Sequence, residues 1–261
     1  MKIKIDKEYE NVRLDRYLRK HCKNNSLSEI FSAIRTAKIK VNDKKVSQDY
    51  RLKIDDELYI TSLEFNLIKK EKKEYNNKYI VYEDENLLII NKPAGMPIHK
   101  GSGHSKGLAE LYNINFANRL DRKTKGLVIG CKTPSMLRHV TQLIRENKVI
   151  KKYEAITKNN GKYAIGDVFH IKNKLYVGED KVIISDKGKI AESIFKVIDI
   201  QKDKIIFEVQ LISGRKHQIR VQLSSIGLSI IGDDKYGNYK PEDELMLKCK
   251  YLEFDKYKFE I

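Results

Sequence analysis

The sequence predicts an α+β protein in two parts, a small helix-and-hairpin module followed by a larger domain built on a mixed, mostly antiparallel β-sheet. Three observations carry this expectation. Two helical periodicities and a hairpin pattern sit close together within residues 12–60. A dense, aperiodic charge run follows over residues 62–78, with Lys69-Lys70-Glu71-Lys72-Lys73-Glu74 at its centre, and reads as a linker. From Tyr79 onward strand patterns succeed one another without regular crossover helices, which favours antiparallel pairing. The expected division is residues 1–61, linker 62–78 and residues 79–261.

In the first part, Leu14, Tyr17, Leu18 and His21 recur at helical spacing, with Arg13, Arg16 and Lys20 on another face. Ser26-Leu27-Ser28-Glu29 has capping-box spacing, and Ile30, Ile34 and Ala37 continue an apolar stripe behind it. Ile39 and Val41 alternate, Asn42-Asp43 offers a turn, and Val46 resumes the strand pattern. Leu52, Ile54, Leu58 and Ile60 around Asp55-Asp56 predict a further pair of short strands.

In the second part, Ile80–Tyr82 and Leu87–Ile90 flank the polar turn Glu83–Asn86, and Leu127–Ile129 is another strand. Thr133-Pro134 supplies an N-cap and a first-turn proline for a helix carrying Met136, Val140, Leu143 and Ile144. Strands are expected over Lys152–Thr157, Val182–Ser185, Ile194–Ile198 and Ile205–Leu211. A short helix is expected over Lys216–Ile226, stopped by Gly227.

Composition narrows the function. Lys and Arg number 52 against 36 acidic residues, a formal net charge of +16, and such an excess attracts polyanions, nucleic acid above all. No apolar run reaches the ~20 residues that span a bilayer, so no membrane association is expected. The charged, alternating start of the chain lacks the apolar core of a signal peptide. Cys22, Cys131 and Cys249 are scattered, which argues against a disulfide framework or a zinc site and suits a reducing compartment. A cytoplasmic protein is expected.

The sharpest segment is Asn118-Arg119-Leu120-Asp121-Arg122-Lys123-Thr124-Lys125-Gly126, followed by Leu127-Val128-Ile129. It places a carboxylate in an arginine-flanked loop directly before a rigid apolar strand, a sensible mounting for catalysis. Alone, Asp121 reads equally as a helix cap or half of a surface ion pair. Four other motifs accompany it in order: Asn91-Lys92-Pro93-Ala94-Gly95-Met96-Pro97, Lys151-Lys152-Tyr153-Glu154-Ala155, Ser213-Gly214-Arg215-Lys216-His217-Gln218-Ile219-Arg220 and Ile231-Gly232-Asp233-Asp234-Lys235-Tyr236-Gly237.

In this order and spacing the five motifs resemble the RluA family of pseudouridine synthases. V-R-L-D-R-Y-L at 12–18, the run at 33–46 and R-L-K-I-D-D-E-L at 51–58 resemble the S4 RNA-binding domain. The pairing is similar to the family's branch acting on large-subunit ribosomal RNA. The resemblance implies isomerisation of uridine to pseudouridine: an N–C glycosidic bond is broken, the base rotates and a C–C bond forms. It implies no cofactor, because isomerisation needs neither a redox carrier nor an energy source.

Roles are assigned by matching positions. Asp121 corresponds to the family's catalytic aspartate, Arg220 to the arginine that pairs with it, and Tyr153 to the tyrosine that stacks on uracil. Leu247 corresponds to an apolar residue beneath the site, and Arg119 to the side chain that enters the base stack when the target flips out. His217, one helical turn before Arg220, shares its face. Arg215 and Lys92 complete the expected substrate contacts, and Arg13, Arg16, Lys20, Arg35 and Lys38 those of the first part. The partner implied is large-subunit ribosomal RNA, free or in pre-ribosomal particles, and the protein is expected to act as a monomer.

Departures from the family pattern fall on turn and substrate-fit positions. Glycine is usual at Ala37 or Lys38 and at Asp55, histidine at Asn118, Gln222 and near Lys248, and serine at Lys125. Gly101-Ser102-Gly103-His104-Ser105-Lys106-Gly107 lacks the phosphate-loop pattern, and His99 and His104 lack a third metal ligand. Asp233-Asp234 is expected to shape a turn. Two other readings stay open: a non-catalytic RNA-binding or ribosome-assembly protein that retains the fold, and the same chemistry on tRNA.

Overall fold

The computed structural model describes residues 1–66, 77–100 and 106–261, so Gly101–Ser105 of the glycine-rich segment and the centre of the charged run lie outside the described residues. Two compact units emerge, one of Met1–Glu74 with Thr133–Arg138 and one of Tyr75–Lys132 with His139–Ile261.

The first unit holds β1 (Lys2–Lys4), α1 (Leu14–His21), α2 (Leu27–Arg35), β2 (Ile39–Val41) and β3 (Glu57–Ile60). The strands form an antiparallel sheet in the order β1-β3-β2. Leu14, Tyr17, Leu18 and His21 are all buried, as their spacing predicts; the first three pack with Ile30, Ile34, Ile39 and Leu58, and His21 lies against Tyr17 and Phe65. The capping box is formed: Glu29 N–H donates to Ser26 Oγ (3.2 Å), and Ser26 N–H donates to the Glu29 carboxylate (2.6 Å). Such a cap contributes about 1 kcal/mol.

Four local expectations need correction. Ala37 lies past the end of α2 with φ +56°, where Lys38 N–H reaches Ala33 O and Ala37 N–H reaches Ile34 O, so it closes the helix instead of continuing its stripe. Arg13 caps α1 instead of lying on it, and its guanidinium is bound to Asp15 at 3.0 and 3.1 Å. Val46 resumes no strand, and Leu52–Ile54 forms none before the Asp55 turn; only β3 does. β1, which falls on the alternating start of the chain and was not assigned as a strand, occupies a sheet edge.

The second unit comprises β4 (Ile80–Glu83), β5 (Leu87–Lys92), α3 (Leu108–Tyr112), β6 (Asn115–Phe116), β7 (Lys125–Cys131), β8 (Ile150–Lys158), β9 (Val168–Val177), β10 (Val182–Ile184), β11 (Lys189–Gln201), β12 (Lys204–Leu211), α5 (Gln218–Ser225), β13 (Leu247–Phe254) and β14 (Tyr257–Glu260). The remaining helix, α4, runs Pro134–Arg145, with Thr133 Oγ1 accepting from Met136 N–H as expected. The strands form one sheet in the order β10-β9-β11-β12-β8-β13-β7-β5-β4, with β14 on β13 and β6 on β7. Among the described residues every pairing is antiparallel except β13 with β7, so the sheet is mixed and mostly antiparallel, as the sequence predicts.

The parallel β7–β13 pair sets how closely the start of β7 approaches its neighbour. Gly126 sits at its crossing with φ +111°, and a Cβ there would lie 2.2 Å from the Cys249 carbonyl oxygen. No other residue type fits so close an approach, and this glycine immediately follows the Asp121 loop. Gln222, where the resemblance expects histidine, is buried and fully used. It accepts from Ser193 Oγ and donates towards Ile171 O, Asn173 Oδ1 and Ala191 O, which ties α5 to the sheet.

Candidate active site

The loop carrying Asp121 is held at several points. Asn118 Oδ1 accepts the Ile129 N–H (2.8 Å), fastening the loop to β7, and Thr124 N–H donates to Asp121 O (3.1 Å). The Arg122 carbonyl, next in the chain, accepts from Gly95 N–H (2.9 Å) and from Lys92 Nζ (3.0 Å). Lys92 also donates to Pro93 O and Met96 O, and its side chain is fully buried. All three donors are spent on backbone carbonyls, so the expected RNA contact by Lys92 is corrected: the ammonium is a brace for the Asp121 loop. Burial pushes its pKa down to about 8, opposed by the charge of Asp121.

Across from this loop stands the beginning of α5. Arg220 Nη1 lies 3.8 Å and His217 Nε2 3.7 Å from the same oxygen, Asp121 Oδ2. The two side chains meet at one carboxylate, but not through helical spacing: α5 begins at Gln218, and His217 is its left-handed N-cap (φ +55°). Arg220 is buried and makes a bidentate pair with the fully buried Asp233, Nε to Oδ2 at 2.8 Å and Nη2 to Oδ1 at 2.7 Å. Burial opposes the charge on both partners, yet their mutual pairing prevails. It raises the Arg220 pKa and lowers that of Asp233. Asp233 thus does more than shape a turn, although it also accepts from Lys235 and Tyr236 N–H.

Tyr153 on β8 is buried, and alternation carries it to the same face as Ala155 and Thr157, both also buried. Burial, aided by the neighbouring Cys249, holds its phenol pKa well above the ordinary value, so the hydroxyl keeps its proton. Leu247 opens β13 opposite Ala155.

Asp121, Tyr153, Arg220, His217, Leu247, Arg119 and Arg215 all line one cavity of about 730 Å³ within the second unit. Arg119 is exposed at its rim, and Arg215 donates from Nε to Ile190 O (2.9 Å). The motifs did not single out Arg145, Lys151 and Lys216 as site residues, yet these line the same cavity. Lys151 is half-buried, its pKa lowered by that burial. Its place two residues before Tyr153 on an alternating strand was the available signal. Two polar atoms at the cavity wall, Asn118 Nδ2 and Thr124 Oγ1, are buried without a hydrogen-bond partner. The carboxylate, a guanidinium, an aromatic ring and five further cationic side chains give a site suited to a polyanionic ligand with a planar group.

In the first unit, Arg13 and Arg35 line a second hollow with Phe31 and Lys45. Arg16, Lys20 and Lys38 are exposed outside it, Lys20 donating to the Tyr9 hydroxyl. No helix among the described residues is long and apolar enough to cross a membrane.

The chain is similar to known proteins. A family model described as RNA pseudouridylate synthase matches residues 86–225. Ribosomal large subunit pseudouridine synthase C of Buchnera aphidicola subsp. Schizaphis graminum (strain Sg) is 34% identical over 268 residues, covering 95% of this chain and 84% of that protein. The protein of the same name from Escherichia coli (strain K12) is 30% identical over 262 residues, covering 93% and 82%. Among solved structures, human RNA pseudouridylate synthase domain containing 4 aligns with TM-score 0.57 at 24% identity, over 71% of this chain and 88% of that one. Human RNA pseudouridylate synthase domain containing 1 aligns with TM-score 0.58 at 19% identity, over 70% and 81%, and both show the fold.

Proposed function

The chain belongs to the RNA pseudouridylate synthase family, and on that premise we propose that it isomerises uridines of large-subunit ribosomal RNA, with Asp121 as the catalytic carboxylate. The observation that carries this reading is the convergence of Asp121, Arg220 and Tyr153 on one cavity, with Arg220 3.8 Å from the Asp121 carboxylate. The names of the relatives, each a ribosomal large subunit pseudouridine synthase C, support the choice of RNA.

In this reading a uridine leaves its stack and enters the cavity, at a cost of a few kcal/mol. Arg119 at the rim takes the vacated space, where a planar guanidinium both stacks and donates hydrogen bonds. The Tyr153 ring receives the uracil, with Leu247 packed beneath. Asp121 then faces the ribose while the N–C bond breaks, the base turns and the C–C bond forms. Arg220 offsets the carboxylate charge as it shifts during these steps. Arg215, Lys216, Arg145 and Lys151 supply cations to the flanking phosphates. The first unit is the S4-like domain of this reading. Arg13, Arg35 and Lys45 around its hollow, with Arg16, Lys20 and Lys38, make a second RNA contact that raises the local concentration of substrate. One monomer carries both contacts.

The test is Asp121→Asn. Single-turnover pseudouridine formation on rRNA fragments should fall by roughly 10³-fold or more, while RNA affinity is retained. Wild-type protein that binds rRNA and forms no pseudouridine would establish a binding protein instead. Modification confined to tRNA from a strain lacking the protein would move the substrate to that RNA.

A further inference from the structure

The I-G-D-D-K-Y-G segment holds a residue that the proposed chemistry leaves unused. Tyr236 stands behind both groups that face Asp121. Its ring lies under the Arg220 guanidinium, 5.2 Å from centroid to Cζ, and its hydroxyl lies 2.7 Å from His217 Nδ1. The same hydroxyl oxygen accepts the Val182 N–H at 2.9 Å.

These contacts leave one arrangement of protons. A phenol has a single hydrogen to donate. Burial raises the Tyr236 pKa, so that hydrogen is present. With Val182 N–H already donating to the oxygen, the phenol hydrogen has His217 Nδ1 as its acceptor among the described residues. Nδ1 must then carry a lone pair, and a neutral ring carries its proton on Nε2. The other end of the ring requires the same tautomer, because Nε2 faces a carboxylate oxygen at 3.7 Å, where a lone pair would be repelled and an N–H attracted. The charged ring is disfavoured. Burial comes first in holding the His217 pKa down to about 4, and Arg220, Lys216 and Lys235 act in the same direction against the pull of Asp121.

We propose that Tyr236 is a positioning residue that locks His217 as the neutral Nε2–H tautomer, so that His217 and Arg220 both face Asp121 Oδ2 and leave Oδ1 free to meet the ribose. This rests on the role of Asp121 proposed above. The arrangement gives the carboxylate one neutral donor and one cation on a single oxygen. A charged His217 would add a second cation and weaken the carboxylate as a nucleophile or base. The lock itself sits outside the cavity lining and touches no substrate.

The experiment reads the tautomer directly. Full-length protein with ¹⁵N-labelled histidine is studied at pH 7 without RNA by long-range ¹H–¹⁵N correlation, the His217 signals being assigned by their loss in His217→Gln. The expected pattern is a protonated Nε2 and a pyridine-type Nδ1. In Tyr236→Phe the pattern should move towards a mixture of tautomers. Single-turnover pseudouridine formation should slow about tenfold, the worth of one hydrogen bond, with RNA affinity unchanged. A wild-type His217 protonated at Nδ1, or on both nitrogens, would overturn the proposal. So would a Tyr236→Phe protein with the wild-type tautomer and rate. The tautomer is measured in the absence of substrate, so failure here is distinct from failure of the reading of Asp121, which Asp121→Asn decides.

Discussion

At the scale of single residues, the site depends on one buried ion pair. Arg220 is 3% exposed and Asp233 0%, so losing the pair strands charge in a poorly solvated place. Asp233→Asn keeps the shape but leaves the guanidinium only its longer contacts to Asp234 at 3.5 Å and Asp121 at 3.8 Å, and should lower the unfolding free energy by about 3–5 kcal/mol in urea titrations. Acid acts on the same region. The unfolded-state pKa of Asp233 is ~3.9, and Arg220 holds its folded value lower, so its contribution is present above that range and fades as pH falls through the folded value. His217 adds to this at milder pH. Its ring protonates near 6.5 in an unfolded chain but only near 4 when folded, so the unfolded state takes up the proton first. Stability should therefore decline as pH drops from about 6.5 to 4, and urea titrations of His217→Gln should show a shallower slope over that window. Of these residues, Arg220, His217 and Asp121 were legible from their motifs. Asp233 was noticed but taken for a turn, because nothing local says that its carboxylate reaches back to α5. Lys92 was expected among the substrate contacts, and only packing reveals that its three donors are consumed.

At the scale of elements, short-range rules account for most of what formed. The Ser26–Glu29 box, the Thr133 cap and the stop at Gly227 lie where composition places them. The left-handed residue closing α2 is an alanine, however, and such a conformation costs an L-residue roughly 1–2 kcal/mol. Ala37→Gly relieves that strain at the expense of unfolded-chain entropy, and the net gain should be about 0.5–1 kcal/mol by thermal or urea unfolding. The elements missed in sequence share a physical cause. β9 alternates Val168, His170, Lys172 and Lys174 on an exposed face with half-buried partners, so its apolar signal is diluted. β6 spans 2 residues, shorter than any periodicity can reveal, and β1 spans 3, its alternation read only as the lack of a signal-peptide core. They exist because a neighbouring strand supplies their hydrogen bonds.

At the scale of the whole molecule, the order of strands in the larger sheet decides where chemistry can occur. β8, β13 and β7 are adjacent, which sets Tyr153, Leu247 and the end of the Asp121 loop side by side although they come from distant segments. The close β7–β13 approach at Gly126 fixes the depth of that loop. The amino-acid sequence by itself determined the class of fold, most of the helices and the caps at Ser26 and Thr133, the basic character and the identities of most residues that matter. These are written in local spacing and side-chain chemistry, which act over a few residues. The tertiary structure alone decided that β13 runs parallel to β7, that Lys92 braces and does not bind, and that Asp233 and Tyr236 stand behind the groups facing Asp121. Those facts depend on which buried donors and charges find partners far along the chain, and that is settled only when the sheet closes its hydrogen bonds and excludes water.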